Sequence, residues 1–191
     1  MRLTPIENPR HPMTRLAYWM MKREFGKVVA PLKIIYARKP VFLPLLMLIN
    51  KTADRGISLE PELRLLVFDF VDTANGCTFC DDYRLAIAVQ KRIGVAKFAE
   101  LGEYRTSALF TSRERAALAY AEETIRSHEV SDEAFEELQR HFTDVEIIEL
   151  TWLIAIETYF NVLKRPLQIG SDGLRELAEE RIERKMAPSA A

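Results

Sequence analysis

The residues best suited to chemistry in this chain are Cys77 and Cys80, the only two cysteines among 191 residues. They stand three apart, directly after an Asn75–Gly76 pair that predicts the start of a helix, so both thiols lie on one face of its first turn. Free backbone N–H groups and the helix dipole stabilise a thiolate there and lower a thiol pKa from about 8.5. A pair at this spacing can also close a disulfide after one sulfur has reacted.

Three charged residues follow the pair on the predicted helix. Arg84 lies four residues after Cys80 on the same stripe and adds positive potential, which favours a thiolate. Asp81 and Asp82 act in the opposite direction, because they repel a thiolate unless Arg84 or the helix end neutralises them. Arginine stays protonated at any working pH, so Arg84 can hold Cys80 as a thiolate or orient a substrate oxygen, but it cannot act as a general base.

The Cys-x-x-Cys spacing by itself also fits a zinc site or two inert buried thiols. Structural zinc takes four protein ligands, and catalytic zinc takes three plus water. The chain has no other cysteine, and His11, His128 and His141 show no close ligand spacing. Inert thiols would pack as small apolar side chains. We prefer a redox-active pair over both alternatives and predict no metal and no cofactor.

Charge is unevenly distributed along the chain. The net charge is −1, yet residues 1–40 carry nine Lys and Arg against two acidic residues, and the remainder is acidic. We predict that residues 1–52 form a basic helical extension and that residues 53–191 form the main domain. The extension is expected to pack on that domain or on a neighbouring protomer, with an anionic surface as the alternative. No nucleic-acid partner is predicted, because no binding motif is present.

The N-terminal residues lack the apolar core of a secretory signal. The most apolar run, residues 41–50, contains Pro44 and covers about half of a membrane span, so it predicts a buried helix and no integral membrane segment. We therefore expect a cytoplasmic protein. In that compartment a cysteine pair is more often catalytic or metal-binding than structural.

Helical periodicity dominates the chain, and strand signals are missing. Ser58 is the expected cap of a buried helix that ends near Gly76. The cysteine helix follows and is expected to end at Gly94, and a last helix is expected over residues 171–186. The sequence therefore predicts an all-α fold of about nine or ten helices.

Three further helix starts carry side-chain caps. Thr111 with Glu114, and Thr143 with Glu146, have the spacing of capping boxes. Ser131 is expected to cap the helix between them.

Several segments resemble the carboxymuconolactone decarboxylase superfamily, in particular its alkylhydroperoxidase D-like (AhpD-like) branch. "ELRLLVFDFVDTANGCTFC" is similar to the helix that leads into that branch's Cys-x-x-Cys turn, and "CDDYRLAIAVQKRIG" to its cysteine helix. The stretch from "FTSRERAALAY" to "NVLKRPLQI" is similar to the family's second half. The resemblance covers residues 63–167 and implies an AhpD-like helical bundle that assembles as a homo-oligomer, usually a dimer, trimer or hexamer. Residues 1–50 have no such match.

The resemblance also implies roles for the cysteines. The redox branch uses a glutamate twelve residues before the first cysteine, both cysteines, and a histidine four residues after the second. It implies that Cys80 attacks a peroxide and Cys77 resolves it, while the histidine moves the proton. Leu65 stands at the glutamate position of this chain and Arg84 at the histidine position. Asp81, four residues after Cys77, is the best placed replacement proton carrier.

The chain offers alternative proton carriers. Asp82, Tyr83 and Glu62 also lie near the cysteines in sequence. The alternative role for Asp81 is that of a helix N-terminal acid paired with Arg84. The histidines are expected at helix ends or on the surface, although the fold could bring His128 or His141 to the cysteines. Trp19 is a candidate for a contact between protomers.

The function we favour is thiol-dependent reduction of a small hydroperoxide or disulfide. Cys80, Cys77, Arg84 and Asp81 are the candidate catalytic residues, and a cellular dithiol or a thioredoxin-like partner would re-reduce the pair. The alternative is a non-catalytic relative that keeps the oligomeric scaffold for assembly or ligand binding, which the replacements at Leu65 and Arg84 favour. Decarboxylation is disfavoured, because that branch does not depend on a cysteine pair.

Overall fold

The protein is described by a computed structural model over residues 1–91, 93 and 96–186. These residues contain nine α-helices and no strand, which confirms the predicted all-α class. The expected helix end at Gly94 and the tail 187–191 lie outside the described residues. The α-helices are α1 Pro12–Phe25, α2 Leu43–Arg55, α3 Pro61–Ala74, α4 Thr78–Lys91, α5 Ala96–Ala99, α6 Ser112–Ser127, α7 Asp132–Gln139, α8 Asp144–Lys164 and α9 Leu174–Met186. Short turns of π or 3-10 helix are Leu32–Tyr36, Pro40–Phe42, Leu101–Glu103 and Arg165–Leu167.

Helix α3 is the centre of the fold and packs against α4, α6 and α8. A helix that is apolar on most faces is suited to burial on several sides. Accordingly Leu66, Val67 and Val71 have no exposed surface. Helix α4 also packs against α9. Because α4 and α8 both contact α3, polar side chains from these three helices can meet in one buried place.

The predicted side-chain caps are confirmed. Thr111 and Thr143 each accept a hydrogen bond from the backbone of the third helical residue, Glu114 and Glu146, whose carboxylates bond back to the cap. Ser131 caps α7 through the backbone N–H of Ala134. Each such cap satisfies backbone donors that a helix start leaves free and is worth about 1 kcal/mol.

The predicted cap at Ser58 is wrong. Helix α3 begins at Pro61, whose fixed φ suits a first helical position, and Glu60 precedes it without a side-chain cap. Ser58 instead donates its hydroxyl and its backbone N–H to the carboxylate of Glu149 at 2.9 Å each. The residue therefore ties the start of α3 to α8.

The last helix starts at Leu174, three residues later than predicted, because the preceding loop is closed by Asp82. The carboxylate of Asp82 accepts hydrogen bonds from the backbone of Asp172, Leu174 and Arg175 and from the Ser171 hydroxyl, all at 2.9 to 3.0 Å. A side chain of α4 thus caps α9 and fixes it against α4.

We call residues 1–52 the N-terminal segment. Its residues between 18 and 43 share a hydrophobic cluster with both cysteines. Leu32, Ile34 and Tyr36 are buried in it beside Cys77 and Cys80. The same cluster includes side chains of α9 and of the loop before it. The N-terminal segment therefore covers the part of α4 that carries the sulfur atoms.

Residues 41–50 were predicted to form a buried helix, and the predicted burial is wrong. Helix α2 forms there, but Val41 is 71% and Leu48 60% exposed, and Leu43 is the buried residue of the run at 2%. Helix α1 likewise exposes Leu16 at 55% and Trp19 at 58%. Periodicity identifies an apolar face, but it does not say whether the same chain covers that face.

Within the described ranges, every helix is too short or too polar to cross a lipid bilayer.

Candidate active site

Cys77 and Cys80 form a disulfide at the start of α4, with their Cα atoms 5.3 Å apart. Gly76 has a φ of 64°, a left-handed conformation that favours glycine, and this turn leads the chain from α3 into α4. The backbone N–H of Cys77 donates to the Asp72 carbonyl at 2.8 Å, which fixes the turn. Both sulfur-bearing residues are buried, with exposures of 2% and 1%.

Cys80 receives two hydrogen bonds from α8. The Lys164 Nζ atom lies 3.1 Å from the Cys80 Sγ atom, and the Asn161 Nδ2 atom lies 3.3 Å from it. Asn161 is itself oriented by the side-chain amide of Asn75 at 2.8 Å. An ammonium and an amide aimed at one sulfur are suited to stabilise a thiolate there.

Arg84 does not donate to the sulfur in the contacts that the structure describes. Its guanidinium forms an ion pair with Glu157, and its Nε atom lies 3.8 Å from the Asp72 carboxylate. It also stacks over the Phe68 ring at 4.1 Å from the ring centroid. The positive charge predicted to act on Cys80 is thus paired with Glu157 of α8.

Asp72 and Glu157 are two buried carboxyl groups whose pKa values are shifted in opposite directions. Burial, and then the charge of Glu157, raises the pKa of Asp72 well above its ordinary value. Burial opposes ionisation of Glu157 as well, but Arg84 and Lys164 hold its pKa below the usual range. The environment therefore favours the protonated form of Asp72 and the ionised form of Glu157.

Lys164 is buried between two aromatic rings, Phe79 and Phe160, at 5.4 and 4.9 Å from their centroids. Burial lowers its pKa, and the nearby Glu157 acts against that shift. A lysine of lowered pKa releases its proton more easily than an exposed one. Lys164 therefore combines a hydrogen bond to Cys80 with the capacity to transfer a proton.

Asp81, the predicted proton carrier, contacts α3. Its carboxylate accepts from the Thr73 hydroxyl at 3.4 Å, and the carboxyl of Asp69 lies beside it. Burial, and then the charge of Asp81, raises the pKa of Asp69 to about 8. The alternative pairing of Asp81 with Arg84 is not among the described ion pairs, in which Arg84 contacts the buried carboxyl groups of Asp72 and Glu157.

The remaining candidate residues from the sequence lie in surroundings that differ from that of Asp81. Asp82 caps α9, and Glu62 forms an ion pair with Lys97 at 2.9 Å. Tyr83 stacks on the Phe79 ring with centroids 6.2 Å apart and lines the pocket over Cys80. Leu65, at the family's glutamate position, is buried in a separate apolar cluster.

The two histidines lie at helix ends with contacts of their own. His128 caps the C-terminus of α6 with a φ of 60°. His141 contacts Glu137 at 3.2 Å, and its carbonyl accepts from Arg113. The structure therefore places neither histidine among the described contacts of the cysteines.

A pocket of about 90 Å³ lies over Cys80. Cys80 and Lys164 line it, together with apolar side chains from residues 1–52 that include Met21 and Leu46. Of the two cysteines, Cys80 is the one that lines the pocket. A larger open hollow of about 470 Å³, lined mainly by α6, contains neither cysteine. Cys80 therefore lies against the pocket, and Cys77 lies before it in sequence at the same helix start.

Three buried ligand atoms, one each from Asp72, Cys77 and Cys80, lie within 4.8 Å of one another and could hold a metal ion if the disulfide were reduced. Burial raises the pKa of Asp72, and its carboxyl group accepts a hydrogen bond from Asn161 at 2.7 Å. The same carboxyl group therefore lies where it can exchange a proton with the cysteine thiols of the reduced protein.

Sequence reasoning missed the contribution of α8. Glu157, Asn161 and Lys164 are spaced four and three residues apart, so they share one face of a helix that is otherwise strongly apolar. Asp69 and Asp72 interrupt the apolar α3 in the same way. Polar residues at core positions of apolar helices were the signal that could have identified this cluster.

No protein-family model matches the chain. A relative from Escherichia coli (strain K12), the uncharacterized protein YnjA, is 29% identical over 166 residues, which span 85% of this chain and 90% of the relative. That similarity extends over most of both chains, but it does not indicate an activity.

Solved structures share the fold over nearly the whole chain. One is a cysteine-to-alanine variant of the debrominase Bmp8 in complex with 2,3,4-tribromopyrrole, with a TM-score of 0.79 at 22% identity, covering 95% of this chain and 97% of that one. Another, from Ralstonia eutropha JMP134, is described as an alkylhydroperoxidase AhpD core and an uncharacterized peroxidase-related protein. Its TM-score is 0.75 at 19% identity, covering 92% and 97% of the two chains. The chain therefore has the AhpD-like helical fold.

Proposed function

We propose that the protein is a thiol-dependent reductase of small hydroperoxides or disulfides that cycles between a Cys77–Cys80 dithiol and disulfide. The observation that carries this proposal is the environment of Cys80. Its sulfur is joined to Cys77, accepts hydrogen bonds from Lys164 and Asn161, and lines a pocket. A low-pKa thiol with a resolving partner and an access route is the arrangement that redox chemistry requires.

The reaction with a hydroperoxide has two steps. The Cys80 thiolate attacks the terminal oxygen of ROOH, the O–O bond breaks, and Cys80 becomes a sulfenic acid while RO⁻ takes a proton and leaves as ROH. The Cys77 thiol then attacks the Cys80 sulfur and expels the hydroxyl as water. Two thiols and ROOH thus give a disulfide, ROH and water, with the substrate reduced and the thiols oxidised.

Lys164 takes the part of a proton carrier in this proposal. It lies 3.1 Å from the attacking sulfur, and burial lowers its pKa, so it can protonate the departing alkoxide. Asp72, whose pKa is raised by burial, lies near both sulfur atoms and can exchange a proton with Cys77. The proposal therefore assigns to α8 and α3 the proton transfer that the sequence assigned to Asp81.

The same considerations support membership in the carboxymuconolactone decarboxylase superfamily and its AhpD-like branch. Neighbours described as AhpD-like or peroxidase-related share the fold, and the Cys-x-x-Cys pair is retained. Leu65 and Arg84 depart from the branch's pattern. Lys164 and the buried carboxyl groups occupy the surroundings of the sulfur instead.

A second candidate function is reductive removal of bromine from a small aromatic ring. It is favoured by the debrominase neighbour and by the aromatic side chains, such as Phe160 and Tyr83, that line the pocket over Cys80. Cys80 would accept the bromine from a ring carbon that gains a proton, and Cys77 would then displace bromide. Two thiols and ArBr would give a disulfide, ArH and HBr.

We also propose that the protein is a cytoplasmic homo-oligomer. Helix α8 presents an outward apolar stripe whose members repeat at alternating spacings of three and four residues, the spacing of helices that pair along a seam. Val145, Ile148 and Val162 of this stripe are 65%, 69% and 64% exposed on the single chain. The stripe comprises Val145, Ile148, Trp152, Ala155, Tyr159 and Val162. Trp152 is partly buried and also packs against the core of the same chain.

The test is a thiol count on fully reduced protein before and after one equivalent of tert-butyl hydroperoxide, with intact mass as the second readout. We expect rapid loss of both thiols together with the mass of two hydrogens. The Cys77→Ser variant should stop at a Cys80 sulfenic acid that dimedone traps, and the Cys80→Ser variant should not react. Bromide release from a polybrominated pyrrole under the same conditions tests the second candidate.

Thiols that survive prolonged exposure to both substrates would contradict the redox proposal. That result would favour the alternative drawn from the sequence, a scaffold retained for assembly or ligand binding.

A further inference from the structure

We propose that the exposed side of helices α1 and α2 docks on the surface of an anionic lipid bilayer. We call the exposed side chains of α1 and of residues 39–51 the docking face. Three observations carry the inference: the apolar side chains that this face leaves uncovered, the basic residues among them, and the opposite charge of the rest of the chain. The inference does not depend on the proposed redox function.

Helix α1 has one buried side and one exposed apolar side. Tyr18 and Phe25 are buried in the hydrophobic cluster that contains both cysteines, and they fix the helix to the fold. Leu16, Trp19 and Met20 are spaced three and four residues apart, so they lie together on one face. Between 48% and 58% of each of these residues is exposed. The contacts that hold α1 in place therefore leave an apolar face open to solvent.

Helix α2 and the turn before it repeat this arrangement. Leu43 is buried, whereas Val41, Leu45 and Leu48, spaced four and three residues apart, are exposed. Most of the large apolar side chains that the described residues leave exposed belong to the N-terminal segment. An apolar patch of this kind, accompanied by polar residues, is typical of an interaction site.

The two helices approach the same part of the protein surface. Met21 of α1 and Leu46 and Asn50 of α2 all line the pocket over Cys80. The exposed residues Met20 and Leu45 directly precede two of these pocket residues in sequence. The apolar sides of α1 and α2 therefore lie near one pocket and can act as one surface.

Basic residues accompany the apolar side chains of the docking face. Within the described part of the chain, the ion pairs of residues 1–52 are those of Lys27 and Lys33. One further cation, Arg23, lies over the Trp19 ring at 5.6 Å from the ring centroid. The exposed basic residues of the docking face that are outside the described ion pairs are Arg15, Lys22, Arg23, Lys39 and Lys51.

An anionic bilayer is complementary to both kinds of side chain. The apolar residues can enter the boundary between head groups and acyl chains, where tryptophan is also favoured, while Lys and Arg meet the negative head groups. The remainder of the chain is acidic, so the field of an anionic membrane orients the docking face toward the lipid. A two-fold contact between copies of this face would instead place its cations against one another.

The experiment is flotation of the full-length protein with vesicles of phosphatidylcholine alone and of phosphatidylcholine mixed with phosphatidylserine. At low ionic strength we expect a partition coefficient at least about tenfold higher for the vesicles that contain phosphatidylserine. The difference should shrink as salt is added, because salt screens the attraction. Equal partition into the two kinds of vesicle, or no binding to either, would overturn the proposal.

A pair of charge variants tests the cations of the docking face. Lys22→Gln with Arg23→Gln should lower partition into the anionic vesicles by about tenfold. The matched control is Arg126→Gln with Arg140→Gln, which removes the same charge from exposed positions outside the N-terminal segment. Equal losses in the two double variants would show a response to net charge alone and would contradict a docking face.

A second pair of variants tests the apolar side chains. Trp19→Gln with Leu48→Gln should also lower partition by about tenfold, because less apolar area then enters the lipid. Leu109→Gln with Phe135→Gln, at exposed apolar positions outside the N-terminal segment, is the control and should bind as the wild type does. Wild-type binding by the Trp19→Gln with Leu48→Gln variant would contradict insertion of this face.

Quenching of tryptophan fluorescence locates the contact with lipid. Vesicles whose acyl chains carry bromine should quench the wild type, and the Trp19→Phe variant should lose that quenching while it still binds. Quenching that persists in Trp19→Phe would assign the contact to Trp152 of α8 and would overturn the proposal.

A second copy of the chain is the competing occupant of the docking face. Light scattering without lipid should give the same mass for the wild type and for Trp19→Gln with Leu48→Gln. A lower mass of the double variant, together with a wild type that binds neither kind of vesicle, would show that another copy covers this face. None of these measurements uses the thiols, so they remain valid if the redox function is not found.

Discussion

The Lys164 ammonium of α8 donates a hydrogen bond to the Cys80 sulfur of α4 across 3.1 Å, although 84 residues separate the two in the chain. In the reduced protein the same contact would stabilise the Cys80 thiolate and lower its pKa. Arg84, much closer in sequence, is paired with Glu157 instead. The cation that acts on the sulfur is therefore a lysine on another helix.

Replacing Lys164 by Met should raise the pKa of the reduced Cys80 thiol and slow its oxidation. Loss of the charged donor, and of the proton it supplies, is expected to reduce the rate with tert-butyl hydroperoxide near neutral pH by about 100-fold. The pH profile of iodoacetamide alkylation should move to higher pH. Lys164→Arg, which keeps a charge and a donor, should recover part of the alkylation rate. The exposed control Lys51→Met should leave the pH profile of alkylation unchanged. An unchanged pH profile in Lys164→Met would contradict the role of Lys164 at the Cys80 sulfur.

Replacing Arg84 by Met should destabilise the fold strongly, because the buried Glu157 would lose its charged partner. We expect a loss of about 3–5 kcal/mol in the free energy of unfolding by urea. Arg84→Met combined with Glu157→Met should recover most of that loss. The exposed pair of Arg175 and Glu179 is the matched control, and its disruption should cost below about 1 kcal/mol. Similar costs for the two pairs would show that the Arg84 pair is not effectively buried.

Titration of the buried Asp69 should lower the free energy of unfolding as the pH rises. Its pKa is raised from 3.8 to about 8 in the folded protein, so between these values the folded state binds more protons than the unfolded state. The free energy of unfolding should therefore decrease through this window by up to about 1.4 kcal/mol per pH unit. Asp69→Asn should flatten the dependence and stabilise the protein near pH 8. The exposed control Glu136→Gln should retain the slope, and a retained slope in Asp69→Asn would refute the prediction.

Asp82 should fix α9 to α4 by capping it. Burial opposes ionisation of Asp82, but hydrogen bonds from the α9 backbone and from Ser171 lower its pKa. Its contribution to the free energy of unfolding is therefore present above its ordinary pKa and is lost as the pH falls through the lowered pKa. Asp82→Ala should cost about 1–3 kcal/mol and speed amide exchange in α9. Asp82→Asn keeps an acceptor oxygen, so its stability and its amide-exchange rate should lie between those of the wild type and Asp82→Ala. Equal exchange in wild type and Asp82→Ala would contradict this role.

The outward stripe of α8 should hold copies of the chain together. We expect a dimer or larger species by light scattering coupled to size exclusion. Ile148→Glu with Val162→Glu should produce a monomer, because like charges would then face a buried seam. Leu109→Glu, on a residue that is 41% exposed outside α8, is the control. A wild-type monomer, or a double variant that keeps the wild-type mass, would be inconsistent with the stripe as an interface.

Local patterns predicted much of the fold. The helical class and the capped starts at Thr111, Ser131 and Thr143 follow from side chains that satisfy backbone donors within three residues, and all are confirmed. The predicted cap at Ser58 was wrong because Pro61, three residues further on, starts the helix. The side chain of Ser58 instead binds Glu149 on a distant helix. The predicted burial of residues 41–50 was wrong because an apolar helix face is buried only where another part of the structure packs against it.

The sequence by itself determined the helices and the disulfide-forming pair, because helix periodicity, caps and the Cys77–Cys80 spacing are local properties of the chain. Only the tertiary structure decided what surrounds the sulfur. The crossing of α3, α4 and α8 brings Asp72, Asn161 and Lys164 to the cysteines, and the N-terminal segment supplies the walls of the pocket. These contacts join residues that are far apart in the chain. Their charges and pKa values follow from burial, which no spacing in the sequence encodes.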